Sequence, residues 1–169
     1  MTTWNQFNAS EPELAARALA ILTSTTNGVL GTIRRDGTPR LSGIDPFIVS
    51  GELWIGSMPG ARKGADLKRD PRMALHSIPW ESRKVRDGAA EPGEGDAKLT
   101  GRAVLASDEE KRAAFEAFAA ERGSEPPDID TSDVFRIDLA TVVVVSVADD
   151  QLVIDRWSAA EGRQTVRRT

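Results

Sequence analysis

Residues 29–57 read VLGTIRRDGTPRLSGIDPFIVSGELWIGS, and this stretch decides the fold. Val29 to Arg34 and Arg40 to Val49 are runs rich in apolar and β-branched residues, with Arg35-Asp36-Gly37-Thr38 between them. Asp-Gly supplies the positive φ values of a tight hairpin, so the two runs are expected to pair antiparallel. Ser50-Gly51 makes the next turn, and Leu53 to Ser57 reads as a third strand. Turns this short predict an antiparallel meander.

Upstream, Ser10-Glu11-Pro12-Glu13 has capping-box spacing, and Leu14, Ala15, Ala18, Leu19 and Leu22 recur at helical intervals. The pattern predicts a helix over 11–23. Downstream, Met58-Pro59-Gly60 stops the third strand, and residues 62–69 form a short helix closed by Asp70-Pro71, because a residue before proline avoids helical backbone. Arg72 to Ser77 is a strand, Glu81 to Gly95 a long charged loop, and Lys98 to Leu105 a further strand. Ser107-Asp108-Glu109-Glu110 repeats the capping box, and Ala114, Phe115, Phe118 and Ala119 give a helix over 108–122 its apolar stripe.

After a loop holding Pro126-Pro127, Val134 to Val147 contains four consecutive valines, Val142 to Val145, and reads as a strand buried on both faces, in a barrel core or a subunit interface. Asp149-Asp150 turns the chain into a last strand, Gln151 to Trp157, and Arg163, Arg167 and Arg168 form a basic tail read as disordered. Six or seven mostly antiparallel strands with short helices predict a mainly β, α+β fold: a small β-barrel with peripheral helices, one domain over 1–169.

Composition removes several chemistries. With no cysteine and a single histidine, His76, the chain has no disulfide, thiolate site, cysteine nucleophile or histidine-rich metal site. Its net charge of −4 speaks against a general binder of nucleic acid or anionic membranes. The N-terminus lacks a basic region followed by an apolar core, and no apolar run approaches the roughly 18 residues needed to span a bilayer, so a cytoplasmic protein is expected. Glu91, Glu94 and Asp96 fit a solvated acidic loop better than a metal site, and no metal is expected.

Arg62 and Lys63 stand at the start of the short helix, where the macrodipole is already positive. An anion would compensate, and a phosphate would gain bonds from the Arg fork, the ammonium and free backbone N–H groups. Gly56-Ser57, then Ala61-Arg62-Lys63-Gly64-Ala65-Asp66-Leu67, then Asp70-Pro71-Arg72-Met73-Ala74-Leu75, resembles the pyridoxamine 5′-phosphate oxidase-like split-barrel family. The resemblance implies an FMN site in which Ser57, Arg62 and Lys63 hold the flavin phosphate. It places Arg40, Leu41, Ser42 and Gly43 on the strand along the ring system, with Arg40 at the phosphate, and Gly56 beside Ser57. It further implies a homodimer with cofactor at the interface, where Arg156 and Trp157 reach the partner's flavin.

The sequence departs from the family at Ala61, where a phosphate-binding Ser is usual, and at Asp45, where true pyridoxamine phosphate oxidases carry a substrate-contacting Lys. Of the family's Arg-x-His-Asp-Arg run, only Asp155-Arg156 remains. The cofactor end is kept and the substrate-phosphate end is lost. The resemblance therefore implies a flavin- or deazaflavin (coenzyme F-420)-dependent oxidoreductase that transfers hydride to a small conjugated substrate. The alternatives are a flavin-binding or storage protein without catalysis and a haem-handling barrel with His76 as ligand. Trp54, Trp80 and Trp157 are the aromatic candidates for stacking on a flavin or substrate, Trp157 first among them.

Overall fold

A computed structural model describes residues 1–25, 27–78, 95–125 and 132–169. Within them nine strands join in one sheet: β1 (Gly28–Ile33), β2 (Pro39–Ile44), β3 (Pro46–Val49), β4 (Glu52–Ser57), β5 (Arg72–Ser77), β6 (Gly95–Leu105), β7 (Asp133–Ala148), β8 (Gln151–Ser158) and β9 (Gly162–Arg168). All pairings are antiparallel. The described helices are α1 (Trp4–Ser10), α2 (Pro12–Thr23), α3 (Arg62–Arg69) and α4 (Asp108–Arg122).

The β1–β2 hairpin forms as its Asp-Gly turn dictates, with Gly37 at φ 84° and Thr32 opposite Arg40. The expected meander does not form. The run from Arg40 to Val49 breaks at Asp45, because Pro46 has no N–H to give to a ladder and restricts the residue before it. β2 and β3 end up at opposite ends of the path β2-β1-β5-β6-β7-β4-β3. Asp45 alone joins those two ends, and the chain thereby curls the sheet into a barrel.

β7 is the spine. β6 runs along one edge of it, while β4 (at 133–136) and β8 (at 141–148) share the other. In the gap between them Thr2 exchanges both backbone bonds with Leu139, at 3.1 and 2.7 Å, so the N-terminus plugs the split. The four-valine run alternates instead of being buried on both faces: Val142 and Val144 are fully buried, and Val143 and Val145 are half-exposed on the outer surface. Strand period, not the apolar run, sets burial.

Phe7, Leu14, Leu30, Leu75, Leu99, Phe135, Ile137 and Leu139 fill the barrel beneath α1 and α2. α1 was not legible as a helix; Thr3 and Gln6 form its capping box. At the expected box, Ser10 Oγ donates instead to the Phe7 carbonyl, and α2 starts at Pro12 without a side-chain cap. α4 follows expectation, with the Ser107–Glu110 box in place, and covers the outer face of β3 and β4 through Phe47, Trp54, Phe115 and Phe118. The basic tail is not disordered: it is β9, paired along its length with β8.

A bulge between Thr100 and Gly101 lets β6 follow the curvature of β7, and a Cβ on Gly101 would lie 2.1 Å from the Asp138 carbonyl oxygen. Backbone cannot give way as a side-chain tip can. Gly101→Ala is expected to destabilise by about 2 kcal/mol as an overpacking change, lowering Tm by roughly 4–8 °C in a chain of this size, read by calorimetry.

Candidate functional site

Ser57 ends β4, and Met58-Pro59-Gly60 reverses the chain through Gly60 at φ 70° and an Ala61 N–H bond to the Met58 carbonyl of 3.1 Å. α3 begins immediately. Its first turn holds Arg62 and Lys63 and no acid, and its N-cap, Ala61, makes no side-chain bond. The free N–H groups and both cations thus face one end of the helix.

A glycine at position 64 brings that end down onto the strand. A Cβ there would lie 2.8 Å from both Ser57 Oγ and Asp133 Oδ2. Ser57 is buried, and its hydroxyl has no hydrogen-bond partner. An unpaired buried hydroxyl costs roughly 1–3 kcal/mol, and a bound oxyanion would relieve it. Asp133, the one carboxylate beside it, is neutralised by Lys68 Nζ at 2.6 Å.

Lys63 Nζ donates to the Gly43 carbonyl at 2.7 Å and so fastens α3 to β2. Arg40, further along β2, donates from Nε to Asp66 Oδ2 at 2.6 Å. Thr32 Oγ1 reaches the same oxygen at 3.1 Å, and Arg69 Nη2 reaches Asp66 Oδ1 at 3.2 Å. Burial pushes the Asp66 carboxyl up, but these three bonds outweigh it and hold the group below its ordinary value. Asp66 therefore stays charged and orients Arg40 by its Nε. Among the described residues nothing bonds the terminal nitrogens of Arg40 or any nitrogen of Arg62.

The structure thus gathers Arg40, Ser57, Arg62 and Lys63 around the start of α3. Leu41 and Gly43 lie exposed on β2 with Ser42 half-buried between them, and Gly56 sits half-buried on β4 opposite Val134. Arg156 and Trp157 are not part of this cluster within one chain. Arg156 is five strands away in the row Gly43, Val29, His76, Lys98, Val143, Arg156, a path of roughly 24 Å along the curved sheet at 4.8 Å per step, and is paired with Glu161. Trp157 points inward, 4% exposed, with its ring 4.6 Å from that of Phe7.

Trp54 is likewise buried, under α4. Trp80, Glu91 and Glu94 lie outside the described residues, and Asp96 is on β6. His76 on β5 is half-buried, its Nδ1 2.5 Å from the Ser77 carbonyl. Asp66, Thr32 and Arg69 were missed as site residues. The signal for Asp66 was an acid among four cations on a helix whose apolar face is a single leucine. No group of three potential metal ligands occurs among the described residues, and no helix there is long and apolar enough to cross a membrane.

The family model described as "Pyridoxamine 5'-phosphate oxidase" matches residues 14–146. Among curated protein sequences none matches the chain. Among solved structures, PhzG from Burkholderia lata 383 in complex with tetrahydrophenazine-1-carboxylic acid superposes with a TM-score of 0.63 at 15% identity, covering 98% of this chain and 93% of that one. A haem-binding protein from Mycobacterium smegmatis gives 0.60 at 22% identity, covering 87% of this chain and 58% of that one. A putative pyridoxamine 5′-phosphate oxidase from Listeria innocua gives 0.57 at 20% identity, covering 78% and 98%. At these identities the structural likeness speaks for the fold alone.

Proposed function

Because the chain belongs to the pyridoxamine 5′-phosphate oxidase family, whose members generally bind FMN, we propose that it is an FMN-dependent oxidoreductase acting as a homodimer. One observation carries the reading: the buried, unpartnered Ser57 hydroxyl lies directly beneath an uncapped helix start bearing Arg62 and Lys63. A phosphate monoester supplies the acceptors and charge that this cradle lacks.

Arg62 and Lys63 hold the phosphate through charge-assisted bonds, the first-turn N–H groups of α3 share it, and the terminal nitrogens of Arg40 close the far side. Leu41 and Gly43, with the backbone of Ser42 between them, offer the outer face of β2 to the flat ring system, and nothing stands within 4 Å of where a Gly43 Cβ would be. FMN supplies hydride chemistry when bound, and the chain's task is to orient it and exclude water. No side-chain nucleophile is needed.

A second copy of the chain fits the outer surface. Val143, Val145, Ile154 and Val166 form an apolar strip there, with Val166 46% exposed. Arg156 stands on the same surface, so a twofold pairing of this face carries the partner's Arg156 toward Gly43. The like charge of Asp45 argues against phosphorylated pyridoxal compounds as substrates.

Titrating FMN and coenzyme F-420 separately into the purified protein tests the reading, with light scattering for the dimer. FMN is expected to bind stoichiometrically per chain, to be reducible in place, and to be reoxidised by a conjugated acceptor. Binding of F-420 alone replaces the cofactor, binding without reoxidation by any acceptor makes the protein a flavin carrier, and binding of neither overturns the assignment.

A further inference from the structure

Beside the clamp, an open groove of about 560 Å³ runs between the end of α2, β3 and the last turn of α4. Its lining is mostly apolar, with Leu19, Phe47, Ile48 and Phe118, and it includes two residues of opposite charge, Asp45 and Arg122. The Arg122 guanidinium carbon lies over the Phe118 ring, 3.7 Å from its centroid, and among the described residues the cation meets no carboxylate. Asp45 is exposed and accepts a bond from Asn27 Nδ2 at 2.6 Å, with no described cation in reach.

The two charges therefore line one groove without pairing with each other. A purely apolar occupant would strip water from both and repay neither. A dianion would meet Asp45 with like charge. A ligand that carries both a cation and an anion on a flat apolar body answers both charges and the apolar lining, in a volume ordinary for a small-molecule site.

The groove and the clamp are linked through the end of β2. Asp45 follows Gly43 by two residues on the same outward face of the chain, roughly 7 Å further on, and Gly43 is the residue that Lys63 holds. A ring system lying along β2 from the clamp would therefore extend toward Asp45.

We propose that this groove is the substrate subsite and takes a zwitterionic aromatic compound, its carboxylate on Arg122, its ammonium on Asp45 and its ring between Phe47 and Phe118. As a substrate subsite it rests on the flavin reading; as a binding site for such a compound it does not.

The test is calorimetric titration of the full chain, with and without FMN, using para-(aminomethyl)benzoate against para-methylbenzoate and para-methylbenzylamine. The zwitterion is expected to bind about tenfold or more tightly than either singly charged analogue, the increment of one charge-assisted bond. Asp45→Asn should erase that advantage over para-methylbenzoate, and Arg122→Gln should weaken both carboxylates by about tenfold while leaving the FMN titration unaltered. Equal affinities for all three probes, or an Arg122→Gln variant that binds both carboxylates as the parent does, overturns the proposal. FMN binding with no probe binding at roughly millimolar concentration overturns the groove assignment alone. Probe binding by a protein that binds no FMN overturns the flavin reading and leaves the groove as a zwitterion site.

Discussion

Replacing Arg62 and Lys63 together by Ala is expected to weaken FMN binding by about 3–4 kcal/mol, roughly a few hundredfold in Kd. Each cation makes charge-assisted bonds worth about 1.5–3 kcal/mol, and because both act on one phosphate their losses do not simply add. The fold should tolerate the change. Arg62 is exposed, and among the described residues Lys63 gives only the bond to the Gly43 carbonyl. Quenching of flavin fluorescence measures the affinity, and thermal melting separates it from stability. An unaltered Kd in a folded double variant would remove the phosphate from this end of α3.

Asp155→Ala is expected to cost about 3 kcal/mol of stability, the low end for breaking a buried ion pair. Asp155 is 1% exposed and ties three elements together: Arg17 Nη1 of α2 reaches Oδ2 at 2.7 Å, while Thr165 Oγ1 and Arg163 Nε of β9 reach Oδ1 at 2.6 and 3.2 Å. Arg17 and Arg163 keep roughly a third of their side-chain surface in water, at 31% and 27%, which softens their loss of a partner. Melting should fall by roughly 6–12 °C.

The pH dependence has a definite sign. Burial pushes the Asp155 carboxyl up, but the bonds from Thr165, Arg17 and Arg163 outweigh it and hold the group below its ordinary 3.8. A carboxyl depressed on folding contributes stability that is fully present above its unfolded value and is lost as pH falls through the folded value. Parent and variant stabilities should therefore stand apart at neutral pH and draw together below about pH 4. Chemical unfolding at a series of pH values measures this, and a constant gap down to acid pH would show that the carboxylate is not ionised in the folded protein.

Where chemistry is local, the sequence was legible. Asp36-Gly37 named its hairpin, Ser107 and Glu110 their helix start, and Met58-Pro59-Gly60 the turn from Ser57 into the helix that begins at Arg62, because turns, caps and helix ends are decided within a few residues. Position within the tertiary structure was not. The break at Asp45 follows from Pro46 only once β2 and β3 are known to sit at opposite ends of one sheet. Trp157 looked available beside a charged residue, yet strand alternation turns it to the core as it turns Arg156 out. The last arginines read as a tail because their strand carries little apolar patterning and is fixed by Asp155 and by pairing with β8. Asp66 escaped notice because its role is to hold Arg40, twenty-six positions back in the chain.

The sharing of one edge of β7 between β4 and β8 has a bearing on how the protein is made. Ser57 leaves the ribosome as the end of a strand whose one partner besides β3, among the described residues, is Asp133 to Arg136, synthesised some 75 residues later. At roughly 5–20 residues per second, β4 waits about 4–15 s for that partner. Until β7 arrives, α3 has no fixed strand end to rest on, so the packing of Gly64 against Ser57 and Asp133 is completed late in translation. The β3–β4 hairpin keeps Phe47 and Trp54 open to wrong partners until α4 covers them.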